Sequence, residues 1–146
     1  MSFRGTFDYS LDAKNRLTVP AAFRSAFADG LVVALHIEPC LSIWTAPAYD
    51  HWVEQALEGM HPLSPERREL HRFFSANAFA GDLDAAGRAM IPPRLLEKAG
   101  IEREVTVNGA GTHVEVWPRG AWADYDADLA AKVAKLTERY SLDPAR

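Results

Sequence analysis

Phe7-Asp8-Tyr9-Ser10-Leu11-Asp12-Ala13-Lys14-Asn15-Arg16-Leu17-Thr18-Val19-Pro20 returns later in the chain as Phe79-Ala80-Gly81-Asp82-Leu83-Asp84-Ala85-Ala86-Gly87-Arg88-Ala89-Met90-Ile91-Pro92. At a constant offset of 72 the Phe, Leu, Asp, Ala, Arg and Pro recur, and Val19 corresponds to Ile91. Further on the offset becomes 73: Ile43-Trp44 corresponds to Val116-Trp117, Tyr49 to Trp122 and Trp52 to Tyr125. Ordered agreement over so much of the chain identifies an internal duplication, and a duplication organises the fold before any single element is assigned.

Each copy has the same local reading. Residues 7–11 and 79–83 are short strand candidates. Residues 12–15 and 84–87 are turns, because Asp bonds its own downstream backbone and Asn or Gly tolerates positive φ. Asn15 opposite Gly87 fits one shared left-handed position, since Asn is the next best residue there. Residues 16–19 and 88–91 are read as the returning strands of two hairpins. Pro20 and Pro92 then suit a first helical turn, where proline's missing N–H costs nothing. The helices expected over 21–28 and 93–99 end near Gly30 and Gly100, glycine being favoured just past a helix C-terminus.

Two more strands follow in each copy, over 31–37 and 41–44 and over 104–107 and 113–117. Leu31-Val32-Val33-Ala34-Leu35 is apolar without a break, as expected of a strand covered on both faces. Thr45 and Pro47 predict a capped helix to about residue 57. Residues 66–74 predict another helix. Trp122, Tyr125, Leu129, Val133, Leu136 and Tyr140 recur every three or four residues, predicting an amphipathic helix over about 119–140. The expected organisation is a first repeat over 1–60, a linker helix region over 61–76, and a second repeat over 77–146 that ends in the long helix. Neither repeat is large enough to enclose its own core, so the two are expected to fold as one pseudo-symmetric α+β domain, a small β-barrel-like core with flanking helices.

The net charge is −4 in 146 residues, which argues against a strong global cationic field. Residues 31–60 hold Glu38, Asp50, Glu54 and Glu58 with no Lys or Arg, so that stretch carries the whole excess. Residues 1–30 are slightly basic through Arg4, Lys14, Arg16 and Arg24. No apolar run suits a membrane span and no signal-peptide pattern opens the chain, which makes the cytoplasm the expected compartment. The lone Cys40 has no intrachain partner and no activating neighbour in sequence, so an idle or buried thiol is expected.

The repeated polar core is Asp-x-x-(Asn/Gly)-Arg-x-x-(Val/Ile)-Pro. Asp and Pro are explained by turn closure and helix initiation. The arginines either cover the turns or, duplicated across a pseudo-dyad, present two guanidinium forks that engage phosphate oxygens or the guanine O6/N7 edge. Lys14 at the turn tip is a phosphate contact or a solvated lysine. His36, His51, His61, His71 and His113 include no pair at ligand spacing on a helix, so no metal or cofactor is expected. Asp82 and Asp84 are better explained by turn chemistry than as a catalytic pair, and a small hydrolase is a distant third reading. Glu66-Arg67-Arg68-Glu69-Leu70-His71-Arg72 forms a charged helical face, solvated or contributing to a nucleic-acid surface.

The doubled motif, the N-terminal Phe3-Arg4-Gly5 and the Trp-bearing strand after each hairpin resemble the MraZ family, within the AbrB-like swapped-hairpin superfamily. The resemblance covers residues 3–140. It implies a cytoplasmic, nucleoid-associated, ring-forming homo-oligomer that binds short DNA repeats upstream of the bacterial division and cell-wall gene cluster, and no enzyme. On the matching motif positions it implies Arg16 and Arg88 as DNA contacts, Lys14 as a phosphate contact, and Asp12, Asn15, Asp84 and Gly87 as turn-setting residues. Asn15 departs from the glycine usual there, and Ala86 stands where the first turn has Lys14, so the first repeat is expected to dominate binding. One subunit offers two or three phosphate contacts, enough for only ~10⁻⁴–10⁻⁶ M non-specific affinity. Several subunits on successive repeats gain ~10²–10⁴ through effective concentration. The competing class is a protein-interaction or antitoxin-like module that holds a partner on its C-terminal helix and meets DNA incidentally.

Overall fold

The computed structural model describes residues 2–141. In the first repeat β1 (Thr6–Ser10) and β2 (Arg16–Thr18) flank the turn. A 3-10 helix (Ala21–Phe27), β3 (Leu31–Leu35), β4 (Leu41–Trp44), α1 (Ala46–Leu57) and α2 (Pro65–Ala76) follow. The second repeat runs β5 (Ala78–Gly81), β6 (Arg88–Met90), α3 (Pro93–Ala99), β7 (Glu104–Gly109), β8 (Val114–Pro118) and α4 (Arg119–Arg139). The chain is thus a mixed α/β structure, with antiparallel sheets and five helices among the described residues.

Local chemistry accounts for the element ends. The Thr45 hydroxyl accepts from the N–H of Ala48 and starts α1, and Ser64 accepts from Arg67 N–H to start α2. Asn15 has φ 59° and Gly87 φ 77°, so both turns use the left-handed position anticipated for them. The two seven-residue helices after the turns differ. α3 closes on Gly100 in the left-handed conformation, whose N–H reaches the Glu97 and Leu96 carbonyls. Its counterpart ends at Ala28 in ordinary helical conformation, with no left-handed closure at that residue, and is a 3-10 helix throughout.

Strand pairing departs from the hairpins expected over 7–19 and 79–91. Each turn reverses the chain, but its two arms pair with the other repeat. β1 pairs with β7, β5 pairs with β3, and β2 pairs with β6. The strand order of the larger sheet is β1-β7-β8-β4-β3-β5, and β2-β6 forms a separate two-stranded ribbon. Short arms of three to five residues cannot bury a face by pairing with each other. β1 and β5 instead lie against β7 and β3 at the two edges of the larger sheet, while β2 and β6 pair with each other across the repeats.

The registers obey a pseudo-dyad. In the ribbon, Leu17 opposes Ala89, and Arg16 and Arg88 oppose Met90 and Thr18. In the sheet, Ser42 opposes Glu115, flanked by Leu41–Val116 and Ile43–Val114. Both central pairs join residues at equivalent positions of the two repeats, so the symmetry axis passes through them. The main core takes Leu17, Phe27, Leu31, Val33 and Ile43 from one repeat and Ala89, Ile91, Leu95, Val105 and Val116 from the other. Neither repeat encloses it alone. A second cluster, Ala34, Trp44, Tyr49, Leu57 and Phe74, seats α1 and α2 against β3 and β4.

α4 is different. None of its residues is buried, and Val133, Leu136 and Tyr140 on its apolar stripe are exposed. The first turns alone engage the body, through Trp117 against Trp122 and Tyr125 at ring separations of 5.3 and 4.7 Å. No described helix is long and apolar enough to cross a membrane.

Candidate functional site

The two turns are built alike. Asp12 Oδ1 accepts the N–H groups of Lys14 and Arg16, both at 2.9 Å, while Oδ2 accepts from Arg16 Nε at 2.7 Å. Asp84 Oδ1 accepts from Ala86 and Arg88 N–H at 3.0 and 2.9 Å, and Oδ2 from Arg88 Nε at 2.8 Å. The backbone N–H of Arg16 foremost, with its guanidinium and the N–H of Lys14, holds the Asp12 carboxyl down at about 2 against the opposing effect of desolvation. Asp84 is lowered by the same arrangement, the Arg88 N–H foremost. Both groups are therefore carboxylates at neutral pH, and both arginines are held at their Nε edge.

The ribbon brings the turns together. Val19 N–H donates to Gly87 O and Ile91 N–H to Asn15 O, so each turn is latched by the strand end of the other repeat. Arg88 Nη1 also lies 3.8 Å from Asp12 Oδ2, an ion pair between the turns. Strand alternation sorts the side chains: Leu17 and Ala89 are buried on one side, and Arg16, Thr18, Arg88 and Met90 lie on the opposite face. The sequence-predicted residues Arg16 and Arg88 thus share one face, with Lys14 at the exposed tip of the first turn.

Arg24 joins this group, although its spacing from the motif does not announce it. Its Nε donates to Val19 O at 2.9 Å, and its guanidinium fills the space where a Cβ on Gly87 would fall. The second turn, which lacks a counterpart to Lys14, is thus backed by a cation from the first repeat. At the start of α2, Ser64 accepts from the Arg67 N–H, and its hydroxyl donates to the His61 carbonyl in the preceding turn.

A second polar cluster lies on the other side of the main sheet. His36, beyond β3, and His113, before β8, converge on Glu115, with Nε2 to Oε2 separations of 3.4 and 2.9 Å. Glu38 Oε2 approaches His36 Nε2 at 3.4 Å. Burial lowers the His36 pKa, partly opposed by Glu115. Glu115 is raised by burial but held lower on balance by hydrogen bonds from His113 and the Trp117 indole. Reading the histidines for helical spacing misses this cluster; the informative pattern is His113-x-Glu115, alternate residues that share a strand face. Cys40 is fully buried nearby in sequence, its thiol pushed up by burial and then by Glu115 and Glu38, which agrees with the idle thiol anticipated.

Comparison with known proteins places these features in a family. The family model described as "MraZ protein, putative antitoxin-like" matches residues 2–72 and again 74–143, one match on each half of the duplication. A protein of a Nocardioides species named transcriptional regulator MraZ is 38% identical over 141 residues, covering 95% of this chain and 96% of the relative. Relatives of the same name from Micrococcus luteus and Syntrophomonas wolfei are 37% and 33% identical, each over 93% of this chain and 94% of the relative.

Proposed function

The chain belongs to the MraZ family, and from that premise we propose that it is a DNA-binding transcriptional regulator that reads DNA with the ribbon of β2 and β6. The observation that carries this reading is the outward face of the ribbon, where Arg16 and Arg88 are each fixed at Nε by an aspartate in the preceding turn. A two-stranded ribbon fits the major groove, and a guanidinium held at Nε offers its Nη groups to acceptors on guanine or phosphate, in Arg88 by giving up the 3.8 Å contact of Nη1 with Asp12. Preorganisation also removes side-chain entropy that a free arginine loses on binding. Asp12, Asn15, Asp84 and Gly87 set the two turns, Lys14 contacts phosphate, and Arg24 adds charge beside the second turn.

The assembly is proposed to be a homo-oligomeric ring, in which several ribbons engage successive repeats upstream of the division and cell-wall gene cluster. The ribbon and its turns carry Lys14, Arg16, Arg24 and Arg88, and Asp12 and Asp84 offset half of that charge. Affinity must then come from repetition. The exposed apolar stripe of α4 is available for subunit contacts. The interleaved arms are read as the swapped hairpins of the AbrB-like superfamily, and the proposed location is cytoplasmic and nucleoid-associated. A family description that includes antitoxin-like function, together with the same free stripe of α4, favours a protein-holding module as the second reading.

The test is fluorescence anisotropy on duplex from upstream of the gene, at several salt concentrations, beside a scrambled duplex. Expected is tight, salt-sensitive binding to the native duplex that Arg16→Ala and Arg88→Ala each weaken, with the larger loss from Arg16→Ala because only the first turn carries Lys14. Equal, feeble binding to both duplexes overturns the regulator reading in favour of the interaction module. A larger loss from Arg88→Ala overturns the dominance of the first repeat.

A further inference from the structure

The His36, His113 and Glu115 cluster contributes nothing to the ribbon, and the duplication shows how unusual it is. The first-repeat equivalents of His113 and Glu115 are Cys40 and Ser42. Ser42 Oγ accepts from the Trp44 indole at 2.7 Å, and Glu115 Oε1 accepts from the Trp117 indole at 2.9 Å. Holding the buried tryptophan is therefore a task that a serine performs. Glutamate at 115 exceeds it by one free carboxylate oxygen, Oε2, and that atom is the one facing the two imidazoles.

The donor atoms meet the requirements of a small cation. One ring nitrogen each of His36 and His113 and one oxygen of Glu115 all lie within 4.8 Å of one another. Ligands at about 2.0–2.1 Å in a tetrahedron stand roughly 3.3–3.4 Å apart. The 3.4 Å separations of His36 from Glu115 and from Glu38 already have that value, and the 2.9 Å contact of His113 opens by about half an ångström. The imidazole side chains are only 9% and 11% exposed, whereas Glu38 is 42% exposed and marks the way in.

The supporting shell is also present. Thr112 Oγ1 lies 3.0 Å from His113 Nδ1, and a hydroxyl serves either tautomer, including the one that leaves Nε2 as a lone-pair donor. Trp44 stacks on the His113 ring at 4.2 Å and 17°, fixing its plane. Asn108 stands opposite Glu115 in the β7–β8 register, on the same sheet face, and both polar atoms of its buried amide lack a protein partner. Unmet hydrogen-bonding capacity beside the cluster is what a hydrated ion satisfies.

We propose that His36, His113 and Glu115, with Glu38 beside His36 at the entrance, bind one divalent transition-metal ion, zinc by the character of the donors. Two imidazoles and a carboxylate suit zinc better than magnesium or calcium, which take all-oxygen shells. Three protein ligands leave the fourth position to water and pin the segment after β3 to β8, and so one repeat to the other. This site is independent of the DNA reading.

The test uses the full chain, stripped with chelator and desalted, then titrated with Zn²⁺ against a chromophoric competitor and, separately, with Co²⁺. Expected are one ion per chain at about 1 μM affinity or tighter, visible Co²⁺ bands of tetrahedral intensity, and quenching of Trp44 fluorescence by Co²⁺. Zn²⁺ raises the melting temperature and Mg²⁺ does not. Glu115→Ser, which installs the residue that the first repeat carries at this position and that there accepts from the indole, weakens binding at least about tenfold, and His113→Gln abolishes it. Absence of saturable one-to-one binding below about 10 μM overturns the proposal. So does Zn²⁺ binding that His113→Gln leaves unchanged, which assigns the ion to surface histidines such as His51, His61 or His71.

Discussion

Replacing Gly109 with alanine is expected to be the most damaging single-methyl change in the protein. Gly109 ends β7, and its backbone is not in the left-handed region, so alanine suffers no conformational penalty of its own. The obstacle is what lies against it: a Cβ there falls on the backbone of Phe3 and Arg4. Backbone yields far less readily than the end of a side chain. The segment is tied on both sides of the contact, by Phe3 N–H to Gly111 O at 2.8 Å, Gly111 N–H to Phe3 O at 3.0 Å and Gly109 N–H to Gly5 O at 2.8 Å. Phe3 is 4% exposed and packs on Phe23 and Phe27 at 5.2 and 5.5 Å. Admitting the methyl means displacing this N-terminal strap. Three hydrogen bonds at about 1 kcal/mol each, plus about 1.5–3 kcal/mol for re-exposing the Phe3 ring, set the full loss near 5 kcal/mol. Partial relaxation brings the expectation to about 3–5 kcal/mol, a large fraction of a typical domain's stability. At about 2–4 °C per kcal/mol for a chain of this size, the melting temperature falls by roughly 6–20 °C. Thermal and urea unfolding followed by circular dichroism measure it, with Gly120→Ala as the control because nothing lies within 4 Å of a Cβ there. A Gly109→Ala protein that melts within about 2 °C of the parent would refute the reasoning.

Three further outcomes follow from the geometry. Asp12 and Asp84 have depressed pKa values in the folded state, so they add stability that is present above the ordinary carboxylate range and lost as pH falls through it, for Asp12 toward about 2. Asp12→Asn should therefore lower stability at neutral pH and flatten the acid limb of a stability–pH profile; an acid limb identical to the parent's contradicts the assignment. Asn15→Val forces a β-branched residue into φ 59° and should cost about 1–2 kcal/mol in urea unfolding, whereas Asn15→Gly should be nearly neutral; equal effects would show that the turn backbone relaxes. Cys40 is buried and its thiol pushed up, so a thiol-specific chromogenic reagent should label it only on unfolding, at the rate of global opening. Fast native-state labelling would place the side chain elsewhere.

The sequence alone determined the duplication, the turns and most helix starts, because those depend on residues within a few positions of one another. Asp12 bonds N–H groups two and four residues on; Asn15 and Gly87 adopt the backbone angle that other residues resist; Thr45 caps the helix that begins beside it. The same locality made Arg16 and Arg88 visible as candidates and placed them in equivalent turns. Which strand lies beside which was decided only in the tertiary structure. A backbone ladder is chemically the same with any neighbour, so β1 and β2 carry no local sign that they pair with β7 and β6; total burial of the shared core selects the exchange. The exchange is what sets the two arginines on one ribbon face and latches each turn to the other repeat. It is also a long-range outcome that brings His36 against His113 and Glu115, residues 77 and 79 positions away in the chain, when the only local trace is an alternate-residue pair on one strand. Turn chemistry acts through nearest neighbours and can be read in order along the chain, whereas convergence of side chains depends on the packing of every element between them.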